Sequence, residues 1–205
     1  MKQNTILIAV VALLIGGIGG YVIADRDGYG MSGMNHSMMT SDDQRSDSMP
    51  MGDMGGMNHS SMMVTSEREF VSGMIPHHQE AVDTANEVLA RGGSIPEVRE
   101  LAEAIVVAQE TEIAMLKQWH LAWYGEAYAE DDTYQPMMRD LSQLSGAELD
   151  RRFLEDMIPH HMGAIMMAKS VRPYIEHSEI TDMADAIMET QSAEIKLMNE
   201  LLTKI

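Results

Sequence analysis

Phe70–Ala85 reads FVSGMIPHHQEAVDTA, and Phe153–Ala168 reads FLEDMIPHHMGAIMMA. The pentad MIPHH occurs twice, each time with a proline and two histidines set into a helical pattern of apolar residues. Proline inside a helix lacks an N–H and collides with the carbonyl four residues back, at a cost of roughly 3 kcal/mol. Either the helices begin at Pro76 and Pro159, or they run through them and free the carbonyls of Ser72 and Glu155. Phe70, Val71 and Met74 continue the apolar stripe upstream of the first proline, which favours helices that run through.

The repetition extends well beyond the pentad. Leu101-Ala102-Glu103-Ala104-Ile105 matches Met183-Ala184-Asp185-Ala186-Ile187, and Gln109-x-x-Glu112-Ile113 matches Gln191-x-x-Glu194-Ile195. The MIPHH segments are offset by 83 residues and these later segments by 82, so one residue is lost in a turn between them. Each repeat reads as a helical hairpin, over 66–124 and 146–205. Two hairpins joined by a long crossover make an all-α, ferritin-like four-helix bundle over 65–205. Ser66 with Glu69, Ser94 with Glu97 and Ser145 with Glu148 each predict a capping box at a helix start. Gly92-Gly93 stops the first helix after Arg91. The second ends near Tyr124, the third near Pro173, and the fourth begins around Ser178 or Thr181.

On a 3.6-residue period, Phe70, Met74, His77, Ala81 and Val88 share a face, as do Phe153, Met157, His160 and Ala164 in the second copy. Gln109 with Glu112, and Gln191 with Glu194, lie on stripes that otherwise face a core. His78 and His161 stand about 100° round from their neighbours. Buried polar groups need partners. One reading is a His–Glu–Gln hydrogen-bond network that fixes helix register; the other is a transition-metal site.

Ahead of the bundle the chain changes character twice. Ile6–Ala24 carries no charge, with Lys2 before it and Asp25-Arg26-Asp27 after. At about 1.5 Å per residue this run can just cross a bilayer, and the positive charge on its N-terminal side predicts export of the downstream chain. Residues 1–24 are therefore either a cleaved signal peptide or a membrane anchor, and the protein is extracytoplasmic or periplasmic in both cases. Between Asp25 and Met63 there is no Leu, Ile, Val or Phe, which predicts a disordered segment over 25–64. Ten of the 22 methionines fall there, and GMNHS occurs at both 33–37 and 56–60.

The formal charge of −18 argues against a nucleic-acid partner, and the absence of Cys excludes thiolate catalysis, disulfides and thiolate metal sites. Thioether sulfur is soft and needs no deprotonation, so methionine clusters select Cu(I), and imidazole accepts both Cu(I) and Cu(II). An exported protein rich in Met and His but lacking Cys has the donor set expected of an extracytoplasmic copper ligand. Two other readings of the methionine-rich tail are an oxidant sink, through reversible sulfoxide formation, and a plain spacer. The candidate ligands in the tail are His36, His59, Met34, Met38, Met57 and Met62. In the bundle they are His160, His161, Met157, Met162, Met167, Glu194 and Met198, then His77, His78, Met74 and Glu112. Taken singly, the bundle methionines Met162, Met167 and Met198 also suit core filling.

With these residues assembled, the chain resembles the bacterial proteins grouped as domain of unknown function 305, over Ser66 to Ile205. The resemblance rests on Met74-Ile75-Pro76-His77-His78-Gln79 with Ala81-Val82, its second copy Met157-Ile158-Pro159-His160-His161 with Ala164, and the two Gln/Glu pairs. It implies a ferritin-like four-helix fold and, for the branch with a Met/His tail, periplasmic copper binding in copper tolerance. Thr84 and Met162 depart from the family pattern, and Met162 makes the second hairpin the softer site.

The sequence thus predicts a non-enzymatic copper-binding protein of copper homeostasis that sequesters or relays the ion. Its partners would be copper-exporting or copper-accepting proteins, with the membrane involved only through the N-terminal segment. A ferritin-like dimetal oxidase is one alternative, although Met74 and Met157 stand where such sites carry Glu. Glu80 lies near His77 in sequence, but its counterpart in the second repeat is Gly163, which leaves few carboxylates for two iron ions. A metal-free scaffold or partner-binding module is another alternative.

Overall fold

The computed structural model describes residues 62–91, 94–130 and 134–205. The apolar run over 6–24, the GMNHS repeats and the Gly92-Gly93 stop lie outside the described residues. Four helices follow one another: α1 (Glu67–Arg91), α2 (Pro96–Tyr124), α3 (Gly146–Val171) and α4 (Ser178–Leu202), with a short 3-10 turn over Arg172–Tyr174. Among the described residues there is no strand, and no helix is long and apolar enough to cross a membrane. Short links join α1 to α2 and α3 to α4, so each pair is an antiparallel hairpin. α1 packs chiefly on α2 and α3 on α4, and the hairpins meet along α1 and α3.

Both helices run through their prolines without interruption, Pro76 within α1 and Pro159 within α3. The stripe upstream explains why. Phe70, Val71, Met74, Phe153, Leu154 and Met157 are fully buried, and such side chains contribute about 1.5–3 kcal/mol each. That outweighs one lost helix hydrogen bond per proline.

The core divides into two apolar clusters. One is built from Phe70, Val71, Met74 and Ile75 of α1, Ile113 and Leu116 of α2, Ala164–Val171 positions of α3, and Ile180, Met183 and Ile187 of α4. The other takes Ala81, Ala85 and Val88 of α1, Val98–Ile105 positions of α2, Leu149–Met157 positions of α3, and Met198 and Leu201 of α4. On every helix the residues between the two clusters are the polar ones: His77/His78, Gln109/Glu112, His160/His161 and Gln191/Glu194. The duplicated motif therefore forms a polar layer across the middle of the bundle.

Two of the expected capping boxes do not form. At the start of α2, Asp150 of α3 accepts from Ser94 N (2.7 Å), Ser94 Oγ (2.7 Å) and Ile95 N (3.2 Å). The equivalent residue of the first repeat, Glu67, accepts from Glu176 N (2.7 Å), His177 N (2.8 Å) and His177 Nδ1 (2.6 Å) at the start of α4. Each hairpin thus caps the second helix of the other with a buried carboxylate, and the local Ser94/Glu97 box is displaced because the carboxylate reaches those amides first. Ser145 precedes α3 without a side-chain cap bond, because Gly146 adopts a left-handed φ of 55° and turns the chain there. Only the first box survives in modified form, with Glu69 N bonded to Ser66 Oγ at 3.1 Å while the Glu69 carboxylate reaches back to Thr65.

The predicted tail boundary also moves. Val64 is buried within the first cluster, and its N–H donates to Ser170 Oγ at 3.0 Å, so residues 62–64 dock on α3 rather than belonging to an unstructured segment. A lone valine and one backbone amide give no signal in the sequence, because nothing upstream shares their character.

Candidate metal centre

The polar layer follows the repeat symmetry for three of its side-chain types and breaks it for a fourth. His78 Nε2 lies 2.8 Å from Glu112 Oε2, and His161 Nε2 lies 2.7 Å from Glu194 Oε2. All four groups are buried. The carboxylates therefore serve the second histidine of each pentad, the one that stands off the main stripe. A ring whose Nε2 proton faces a carboxylate keeps a lone pair on Nδ1, which is how metal-binding histidines are commonly oriented. Nδ1 of both His78 and His161 is buried and has no hydrogen-bond partner; His161 Nε2 is hydrogen-bonded to Glu194, whereas His78 Nε2, although 2.8 Å from Glu112, is not aligned for a hydrogen bond.

The first histidines meet each other across α1 and α3. The rings of His77 and His160 lie with centroids 3.8 Å apart and planes 34° from parallel. Here the two halves differ, because position 80 is Glu and its counterpart is Gly163. Glu80 Oε2 is 3.3 Å from His160 Nε2 and accepts from Tyr134 Oη at 2.5 Å, while Glu80 Oε1 accepts from the N–H groups of Met137 and Met138 at 2.8 Å each. Burial opposes its ionisation, but hydrogen bonds from His160, Tyr134 and Met138 outweigh that and hold the carboxyl below its usual range. His77 has neither nitrogen partnered.

Burial pushes the His77 imidazole well below the ordinary histidine range, and the neighbouring His160, His78 and His161 push the same way. Burial also lowers His160, partly offset by Glu80. Both rings are thus kept neutral, which is the state that donates to a metal ion. Among the described residues, no group of three His, Asp or Glu side chains is arranged as a complete metal site.

The remaining predicted ligands distribute unevenly. Met157 and Met198 are buried in the second apolar cluster, and Met74 and Met167 in the first. The Met167 methyl lies 3.2 Å from where a side chain at Gly73 would start. Met162 is 36% exposed, so the residue expected to soften the second hairpin faces outward. Met62 packs against Gly163 of α3, as His77 does. His36, His59, Met34, Met38 and Met57 lie outside the described residues. Sequence reasoning reaches Glu80 only as an iron ligand and misses Tyr134 and Met137. The one available signal is the mismatch of Glu80 with Gly163 in otherwise matching repeats.

A duplicated helical hairpin whose buried histidines lie beside carboxylates defines a class of four-helix bundle with a polar layer across its middle. The chain belongs to the family described as Domain of unknown function (DUF305), whose model matches residues 25–120 and 67–202. It is similar to CopM in the Cu(I)-bound form, with 33% identity and a TM-score of 0.63 over 69% of this chain and 98% of that one. CopM in the Cu(II)-bound form gives 33% identity and a TM-score of 0.62, over 69% and 99% of the two chains. A DUF305 protein from Streptomyces coelicolor is 28% identical, with a TM-score of 0.59 over 66% of this chain and 90% of its own. No curated protein sequence matches the chain.

Proposed function

We propose that this chain is an extracytoplasmic copper-binding protein that prefers Cu(I) and sequesters or relays the ion without chemical turnover. The observation that carries the reading is the 33% identity to CopM over nearly all of that protein, whose structures include Cu(I)-, Cu(II)- and Ag-bound forms. The donor chemistry supports it. Buried imidazoles, His78 and His161 with carboxylates beside them, supply nitrogen, and methionine supplies sulfur that selects the monovalent ion. The uncharged run over 6–24 supports export, whether by cleavage or by anchoring. Copper-exporting and copper-accepting proteins are the partners such a role requires.

The test is an anaerobic Cu(I) titration against a chromophoric chelator, using the protein from residue 25 onward beside a shorter form beginning at Ser61. Retention by both forms places a site in the bundle. Retention by the longer form alone assigns binding to the GMNHS repeats and makes the bundle a scaffold. Loss of copper from both to a modest chelator refutes the reading.

A further inference from the structure

The two hairpins share their interior but not their outer surface. The 82-residue offset that aligns Gln109 with Gln191 and Glu112 with Glu194 also aligns Val107 with Glu189, Ala114 with Lys196 and Leu121 with Thr203. All six positions are exposed, Val107 at 46% and Leu121 at 54%. Apolar side chains scattered singly over a surface are ordinary. Here they recur every seven residues along one helix, so they stand within about 40° of one another round α2. Thr111 and Gln118, both uncharged and exposed, lie alongside. The matching face of α4 carries Glu189 and Lys196 instead, so the apolar stripe belongs to one repeat alone.

The edge of the stripe indicates what covers it. In a chain of net charge −18, residues 104–124 carry three charged side chains, Glu110, Glu112 and Lys117. Glu112 is buried beside His78. Glu110 and Lys117 are exposed, and among the described residues neither forms an ion pair. They are seven residues apart and lie on the same edge, about 60° and 80° round the helix from Val107. An interface between identical copies must be self-complementary, each patch supplying what the other lacks. An antiparallel pair of α2 helices about a two-fold axis at Ala114 meets that condition. Val107 then faces Leu121 of the second copy, and Ala114 faces its own counterpart. Glu110 comes level with Lys117 of the second copy to within one residue, about 1.5 Å along the axis. The two-fold keeps these groups on one edge, so two reciprocal ion pairs form. A parallel pair would put the two charged edges on opposite sides and form neither. Alanine at the centre lets the helices approach to about 8 Å, the close end of helix packing. A partner charged with one sign would complement Glu110 or Lys117 and oppose the other.

We propose that the exposed face of α2 around Val107, Ala114 and Leu121 is a homodimer interface, on which α2 of a second copy packs antiparallel. The inference does not depend on the copper-binding reading. A contact of about four helical turns lies at the small end of protein interfaces, below about 1,200 Å². The dimer is therefore reversible, with a dissociation constant on the order of 10 μM.

The experiment uses the full chain, metal-free and in a mild non-ionic detergent, with sedimentation equilibrium and cross-linking by a short bis-maleimide. The chain has no Cys, so a single introduced thiol reports geometry without background. Ala114→Cys is expected to cross-link into dimers, and Lys196→Cys, its counterpart on α4, to remain monomeric under the same treatment. Val107→Glu, which installs the residue that α4 carries, should weaken the dimer by at least about tenfold with an unchanged thermal midpoint. Glu110→Lys and Lys117→Glu should each weaken it by about fivefold or more, because every pair occurs twice, and the double variant should return to within about twofold of wild type. A wild-type chain that is still monomeric at about 300 μM overturns the proposal and leaves the face to a different partner. Equal cross-linking of Ala114→Cys and Lys196→Cys also overturns it, because self-association would then run through another surface. Failure of the double charge reversal to restore the dimer overturns the antiparallel arrangement.

Discussion

Replacing Glu80 with alanine removes the acceptor for three donors on the crossover and the carboxylate beside His160. The donors are the backbone N–H groups of Met137 and Met138 and Tyr134 Oη. Hydrogen bonds to a charged group contribute about 1.5–3 kcal/mol each when dry, and less where water can replace the acceptor. The Glu80 side chain is 11% exposed and the crossover runs along the surface, so the two amides are worth about 1 kcal/mol each and Tyr134 about the same. Relief of the carboxylate's burial cost offsets part of this. The expected loss for Glu80→Ala is about 2–3 kcal/mol in urea unfolding. Hydrogen exchange at Met137 and Met138 should accelerate to the rate of an unprotected loop. Glu80→Gln keeps one acceptor oxygen and should lose about 1 kcal/mol, with the amides still partly protected. A loss for Glu80→Ala below about 1 kcal/mol, with exchange at those amides unchanged, would show that the crossover is held by something else and would refute the reasoning.

The crossed caps predict that Asp150→Ala destabilises the bundle by about 2–4 kcal/mol, because it orphans Ser94 N and Ile95 N on the opposite hairpin; calorimetry measures it, and a loss no larger than an exposed cap's ~1 kcal/mol would count against the clamp. Stability should also depend on pH through His77 and His160, whose folded-state affinities for protons are lowered by burial. Below about pH 6.5 the unfolded chain binds more protons than the folded one, so stability is fully present above that pH and falls as acid is added, by up to about 1.4 kcal/mol per pH unit per histidine. Urea midpoints from about pH 8 to 5 test it, and a flat profile contradicts the buried neutral state. Ser170→Ala should free Val64 N and, with it, Met62; faster exchange at Val64 with a change of about 1 kcal/mol in stability is the expected result.

Much of the architecture could be read from periodicity. The offset repeats defined two hairpins, and the apolar stripe running past Pro76 and Pro159 showed that the helices continue through them. The buried Gln109/Glu112 and Gln191/Glu194 pairs were legible because a helix stripe that is otherwise Ile, Leu and Ala makes a carboxylate conspicuous. Which histidine each carboxylate meets was not legible. Successive histidines differ by about 100° round the helix, and only the packing of α2 on α1 and of α4 on α3 selects His78 and His161.

Capping failed for a related reason. A Ser-x-x-Glu pattern reports local opportunity, whereas Asp150 and Glu67 reach their targets across the interface between hairpins, where buried carboxylates gain more from amides than an exposed serine does. Sequence by itself determined the repeat, the helices, the polar layer and the soft, cysteine-free donor inventory, because each of these is a property of neighbouring residues or of composition. The tertiary structure decided that Met62 of the tail and Met137 of the crossover stand over Gly163 against an unpartnered His77. Those residues are separated by 101 positions from first to last, and no local pattern links them. Their proximity comes from the way the two repeated hairpins close on each other, with a carboxylate on one side and, on the other, a glycine against which those side chains pack.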